Sequence, residues 1–524
     1  MFLKGYHAFA DEAGGYIIDS DGHRRSEPPY LNWLLEDTQS TKVCYDLDAF
    51  AACLFRLIKL TREEAKALIE REKISLDGYD ITYYPGRYLS IGFGKYTARP
   101  FVSFSDMSRY IEPVTHSPEG ILERAILARD TAQNIHKALK QIGGGVNIEA
   151  VGSITGMIKP IMAKLTQPPT HLDVPEEVVR FALQNVKGNW VEAFKVGFVK
   201  EAYDYDITAA YGSILSKLPD IRRGKWVNSP DIPPDALLGF ASGVVTRRSD
   251  VSPLLYRAPS DQLYGCVGSW EDVLNLDEIR FIQRWGADDF QVKDGWWWIP
   301  TAELKYPYAG IINWLFLKRE ENKGLPRDIL KRMLAYLWGQ TLADYGSRFG
   351  ELYNPIYGAL VESRSRLKVA DFILSHGVEK NVCHIAVDGV LLDAPVTLQN
   401  KQGMGEWRLS YQSQALIVNS GFVFIEGKAG MQEFAHSFEW LKPQLEAAPD
   451  AACYVRQKFA VISLAQAVTQ DKMNQLGCLE SVSESIDIGA ETKRFYLESP
   501  KNGRDQLTRL FSSLPLSVDF VRLR

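Results

Sequence analysis

Apolar and polar positions change their period several times along this chain, and the changes divide it. Val43 to Lys59 and Gly120 to Leu139 repeat apolar residues every three or four positions, which predicts amphipathic helices. Between them, Ile81-Thr-Tyr-Tyr-Pro-Gly-Arg-Tyr-Leu-Ser-Ile91 predicts two strands around a Pro-Gly turn. This mixture makes residues 1–166 an α/β domain. Gln167-Pro-Pro-Thr-His-Leu-Asp-Val-Pro175 is a boundary, because proline removes a backbone donor and disfavours helix continuation. Beyond it, 203–207 predicts a strand, 217–305 reads as loop-rich, and long helices are expected from about 307 to 345. Tyr357 to Ser375 has helical periodicity. Val382-Cys-His-Ile-Ala-Val387, Asp388-Gly389 and Val390-Leu-Leu-Asp393 predict a strand, a turn and a strand. Asp294-Gly-Trp-Trp-Trp-Ile-Pro300 is expected as an aromatic strand in a core or at a packed sheet edge, and the last hundred residues mix short helices and strands.

Length and composition narrow this picture. At 524 residues the chain exceeds one ordinary core, and two to four domains are expected. With 46% hydrophobic and 24% charged residues it has a soluble globular composition. No apolar run at the start suits a signal peptide, and none approaches the roughly 20 residues that span a bilayer. Cysteines at 44, 53, 266, 383, 453 and 478 show no Cys-x-x-Cys spacing, which gives neither a disulfide framework nor a zinc site and fits a reducing cytoplasm. The net charge of −5 argues against purely electrostatic binding of nucleic acid, although a local basic groove remains compatible with it.

Two carboxylates end apolar strands. Tyr203-Asp-Tyr-Asp-Ile-Thr-Ala-Ala-Tyr-Gly-Ser-Ile-Leu215 delivers Asp206, with Tyr211 five residues on, and His384-Ile-Ala-Val-Asp-Gly389 delivers Asp388. Either one alone would be a turn or cap residue. Together, on neighbouring strands, they suit divalent cations such as Mg²⁺, which prefers hard oxygen donors. Two such ions, about 3.5–4 Å apart, activate a hydroxyl and stabilise a leaving pyrophosphate. On the predicted helix Lys331-Arg-Met-Leu-Ala-Tyr-Leu-Trp-Gly339, Arg327 precedes Lys331 by one turn on the same face, a spacing that can grip a triphosphate.

These segments resemble the motifs of family B DNA polymerases. Asp206-Ile-Thr-Ala-Ala-Tyr-Gly-Ser213 resembles motif A, Asp-x-x-Ser-Leu-Tyr-Pro-Ser. Lys331 and Gly339 match motif B, Lys-x-x-x-Asn-Ser-x-Tyr-Gly, with Ala335, Tyr336 and Trp338 replacing Asn, Ser and Tyr. Asp388 matches the second Asp of motif C, Tyr-x-Asp-Thr-Asp-Ser, while Ala386 replaces the first. Arg366 falls at the Arg of the Ile-Thr-Ala-x-x-Arg helix, and Gly188 is what remains of Tyr-x-Gly-Gly. The resemblance covers about residues 185–425, and it lies in the order and spacing of the motifs more than in their letters.

The resemblance implies template-directed DNA synthesis from dNTPs on a primer, with two Mg²⁺ or Mn²⁺ ions held by Asp206, Asp388 and the backbone carbonyl of Ile207. It implies nucleotide binding by Lys331, Arg327, Tyr211 and Trp338, with Tyr211 as the steric gate against ribonucleotides, and DNA binding by Arg366 and Gly188. Its fold would be multidomain α/β: an RNase H-like exonuclease-type domain over 1–166, then a right hand. The hand would be palm over 176–306 with motif A, fingers over 307–345 with motif B, palm over 346–430 with motif C, and a thumb or C-terminal region over 431–524. Exonuclease remnants would be Glu12, Asp46, Asp48 and Asp130; Ala10 replaces a metal-binding Asp, so weak or absent proofreading is expected. A compact viral or plasmid enzyme in the (host) cytoplasm, away from membranes and with accessory replication or priming proteins, is the implied setting. The losses at Ala386 and Ala335 keep open a catalytically silent, polymerase-like nucleic-acid-binding protein.

Overall fold

The computed structural model describes residues 2–11, 14–36, 40–85, 88–93, 101–107, 120–142, 168–344, 349–399, 403–428, 438–489 and 491–523. They form two compact units.

The first unit comprises Met1–Lys164, Asn322–Ile329 and Val455–Ser485. Its sheet has eight strands in the spatial order Arg24–Arg25, Gly14–Asp19, Phe2–Asp11, Ser40–Cys44, Phe101–Asp106, Tyr88–Phe93, Tyr79–Tyr84 and Lys73–Leu76. Phe2–Asp11, Ser40–Cys44 and Phe101–Asp106 run parallel, and antiparallel hairpins extend both edges. The helix expected from Val43 begins only at Leu47. Ser40–Cys44 is drawn into the sheet, and Asp46 caps the helix through the Ala49 N–H. Leu47–Leu57 is buried almost all round, as befits a helix on a sheet. Gly5 lets the Ile121–Ile142 helix approach its strand, since a Cβ there would lie 1.7 Å from the Ala125 carbonyl oxygen. Ile462, Leu464, Ala467 and Leu476 join this unit's core. The segment 431–524, read from sequence as one region, is therefore divided: 455–485 groups with the first unit and 486–524 with the second.

The second unit comprises Leu165–Glu321, Leu330–Tyr454 and Ile486–Arg524. Its main sheet runs Phe422–Ile425, Trp407–Asn419, Lys195–Ile207, Gly389–Leu392, Val382–Ala386, Val191–Ala193, all antiparallel. Leu510–Pro515 returns to pair with Lys195–Gly197. The Pro355–His376 helix is buried on nearly every side; Asn354 caps its start and Gly377 ends it in a left-handed conformation.

The region 217–305 is not loop-rich. It holds an antiparallel sheet in the order Gly224–Asn228, Asp289–Pro300, Leu238–Arg247, Gly268–Asn275, with the Leu276–Trp285 helix beside it. Glycines at 239, 243 and 295 weaken the apolar alternation there, yet they accept the close approach of Trp297, Gln291 and Phe290. Trp297 and Trp298 are fully buried, and their indole N–H groups donate to the Ser229 and Ile221 carbonyls. Among the described residues no helix is long and apolar enough to cross a membrane.

Candidate functional site

The antiparallel pairing of Lys195–Ile207 with Gly389–Leu392 sets Asp206 opposite Gly389, so Asp388 lies one residue from the position facing Asp206. Ala386 pairs with Gly389, which makes Val387-Asp388 a two-residue hairpin turn. Val387 has φ +62°, a left-handed conformation costly for a β-branched side chain, on the order of 1–3 kcal/mol. The fold holds it: the Val387 N–H donates to the Trp190 carbonyl (2.8 Å) and the Ile207 N–H to the Asp388 carbonyl (3.2 Å). This tight turn brings Asp388 into the same small region as Asp206.

Electrostatics register that proximity. Burial, and then the negative charge of Asp206, push the Asp388 carboxyl up to about 7, while Lys331 and Arg408 pull it back. Two neighbouring carboxylates offer hard oxygen donors, and a divalent cation such as Mg²⁺ or Mn²⁺ between them would relieve their mutual repulsion. Asp206 and Asp388 could hold such ions, with the Ile207 carbonyl adjacent in the chain. Ala386, where the sequence resemblance expects a further carboxylate, is exposed.

A pH dependence follows for the metal-free protein. Native Asp388 keeps its proton to about pH 7, whereas the unfolded chain releases it near the ordinary 3.8. Between those values the native state binds more protons, so stability falls as pH rises. Denaturation in chelator should show wild type losing about 1–2 kcal/mol more than Asp388→Asn between roughly pH 5.5 and 7.5. Equal losses in the two proteins would contradict the coupling.

Tyr211 lies in the first turn of the short Ala210–Leu215 helix beyond Asp206. Its ring meets Trp338 at a centroid distance of 4.5 Å, and its hydroxyl donates to Asn189 Oδ1 (2.5 Å). Burial, with help from Asp388, raises the phenol above its ordinary range and keeps it a donor. Lys331, Ala335 and Trp338 share one face of the Leu325–Gly339 helix, and Lys331 and Ala335 are exposed. Arg327 lies one turn earlier on that helix, in the stretch grouped with the first unit.

Two residues read from sequence as DNA-binding serve the interior instead. Arg366 is 1% exposed. Its guanidinium donates to Glu278 Oε1 (3.0 Å), the Gly188 carbonyl (2.7 Å) and the Pro253 carbonyl (3.3 Å). Gly188, at φ +81°, has its N–H on Glu362 Oε2 (2.8 Å). Both polar groups of this glycine are thus engaged within the protein. Arg366 and Glu362, one turn apart on a buried helix, clamp the 187–190 loop that presents Asn189 to Tyr211. The sequence motif locates Arg366 but carries no sign of its buried partner Glu278.

The residues expected as exonuclease remnants do not gather into one cluster among the described residues. Asp46 is a helix cap, Asp48 accepts from the Tyr83 hydroxyl (2.7 Å), and Asp130 pairs with Arg129 (2.9 Å). Glu12 lies outside the described residues. Asp19, Asp21 and His23 do come together, but Lys4 lies 3.0 and 3.5 Å from the two carboxylates and supplies the positive charge.

The fold is similar to that of a DNA polymerase. Solved structures similar to the chain include those of phi29 DNA polymerase. Its ternary complex with primer-template DNA and incoming nucleotides matches at TM-score 0.60 and 12% identity, covering 93% of this chain and 99% of that one. Its binary complex with primer-template DNA matches at TM-score 0.61 and 12% identity, over 93% and 100%. Its complex with single-stranded DNA matches at TM-score 0.60 and 12% identity, over 93% and 99%. At that identity the likeness is one of fold. No protein-family model and no curated protein sequence matches the chain.

Proposed function

We propose that this protein is a DNA-directed DNA polymerase of family B type, extending a primer 3′-hydroxyl with dNTPs. The observation that carries the proposal is the convergence of Asp206 and Asp388 at adjoining strand ends, within a fold shared with a DNA polymerase. Two divalent ions bound by these carboxylates would activate the primer hydroxyl and stabilise the leaving pyrophosphate. Lys331 supplies positive charge for the triphosphate, with Arg327 a turn before it. Tyr211, fixed by Asn189, fills the space that a 2′-hydroxyl would need, and Trp338 lies against it. Arg366 and Gly188 act on the primer side indirectly, by shaping the 187–190 loop. The right-hand division into palm, fingers and thumb belongs to this proposal.

The first unit is proposed to be an RNase H-like domain with little or no editing. Support comes from its antiparallel three-strand meander joined to two parallel strands, and from Ala10 standing where the resemblance expects a metal-binding Asp. The cytoplasm of a host or plasmid-bearing cell suits such an enzyme. The exposed Ala386 favours one other possibility, a polymerase-like protein that binds nucleic acid without synthesis. Labelled primer-template incubated with the full chain, Mg²⁺ and dNTPs separates the two: extension supports synthesis, and binding without extension supports the silent protein.

The gate role has its own test. Tyr211→Ala should lower discrimination between dNTP and NTP by at least about tenfold, roughly 1.4 kcal/mol, in single-nucleotide incorporation. Unchanged discrimination would reduce Tyr211 to a packing residue.

A further inference from the structure

Asp206 already has a partner. Arg408 Nη2 donates to its Oδ2 at 2.8 Å. The pair is placed by the backbone: Asp206 and Arg408 are direct neighbours across the ladder between Lys195–Ile207 and Trp407–Asn419. That neighbour relation depends on a register shift. Asp204 faces Tyr411 and Tyr205 faces Leu409, so Ser410 is bulged out; without the bulge, Asp206 would face Leu409.

Two cations form ion pairs with this strand: Lys428 with Asp204 at 2.7 Å and Arg408 with Asp206 at 2.8 Å. The pair also differs from the structural ion pairs of the same unit. Arg494 and Glu192 are 0% and 2% exposed, and Arg366 and Glu278 are 1% and 2% exposed. Arg408 and Asp206 are 49% and 30% exposed. Solvent screens such a pair and lets it exchange readily.

We propose that Arg408 is a displaceable counter-ion of the metal site. It holds one oxygen of Asp206 in the metal-free protein, yields that oxygen when a divalent cation enters, and so sets the cation concentration at which the site fills. This rests on the assignment of Asp206 and Asp388 as metal ligands. Arg408 is a positioning residue: it acts through Asp206. Its removal frees the oxygen and also withdraws a positive charge that repels the incoming ion, and both effects tighten metal binding.

Mn²⁺ is the probe, titrated into the full chain without DNA or nucleotide, with free Mn²⁺ read by electron paramagnetic resonance. Arg408→Ala should bind Mn²⁺ about 3–10-fold more tightly than wild type, and Arg408→Lys should fall nearer wild type. In an Asp206→Ala background the same Arg408→Ala change should tighten binding by clearly less than it does in the wild-type background, because only the charge effect remains. Affinity within about twofold of wild type, or weaker, would overturn this inference alone if wild-type binding depends on Asp206. Tightening as large in the Asp206→Ala background as in the wild type would also overturn it, since a general field would then account for the whole effect. Wild-type Mn²⁺ binding that does not depend on Asp206 would overturn the ligand assignment and this inference with it.

Discussion

Replacing Asp388 with Asn, or Asp206 with Ala, should reduce primer extension by at least about 10³-fold, around 4 kcal/mol of transition-state stabilisation. The expectation rests on position. Both carboxylates lie where Lys195–Ile207 meets the Val382–Leu392 hairpin. Phosphoryl transfer draws its rate from positioned charge more than from covalent chemistry, so removing a ligand removes most of what the protein contributes. Asn is nearly isosteric with Asp and keeps the turn, and Ala at 206 removes a carboxylate that, after burial, helps to raise the Asp388 carboxyl. Extension rates of the purified variants under saturating Mg²⁺ measure this. A loss smaller than about tenfold in either variant would mean that the carboxylate does not hold the reacting ions.

Arg366→Met should destabilise the second unit by about 3–5 kcal/mol, because it leaves Glu278 charged and buried without its ion-pair partner. Glu278 retains bonds from Asn185 Nδ2 (2.8 Å) and the Asn275 N–H (3.0 Å), which places the effect toward the lower end of that range. The change also leaves the Gly188 carbonyl without the Arg366 donor. Loosening of the 187–190 loop should then free Tyr211 from Asn189. Denaturant midpoints of the full chain measure the first effect. A shift below about 1 kcal/mol would show that water or a neighbouring donor takes over the work of the guanidinium.

What the sequence makes legible here is local. The strand ending in Asp206, the turn at Asp388-Gly389 and the helices around Lys331 and Arg366 all follow from short apolar patterns. The elements form there because one face or the whole element is buried, although the turn falls on Val387-Asp388, one residue earlier than the pattern places it, because Gly389 is drawn into the ladder opposite Ala386 and Asp206. What is not legible depends on register and long-range pairing. Arg408 meets Asp206 only because Ser410 is bulged, and no periodicity announces that. Arg366 looks like a surface cation until Glu278, 88 residues earlier, is placed beside it. The sheet within 217–305 is obscured by glycines that serve close approach to aromatic side chains. Residues 455–485 join the first unit through Ile462, Leu464, Ala467 and Leu476, a union that chain order hides.

The most direct measurement is single-nucleotide incorporation by the wild-type chain. A labelled primer annealed to each of four templates, differing only in the next base, is offered one dNTP at a time with Mg²⁺. Addition of the complementary dNTP on each template, abolished by chelator, is the predicted result. No addition on any template, or addition that ignores the template base, would contradict DNA-directed synthesis at Asp206 and Asp388.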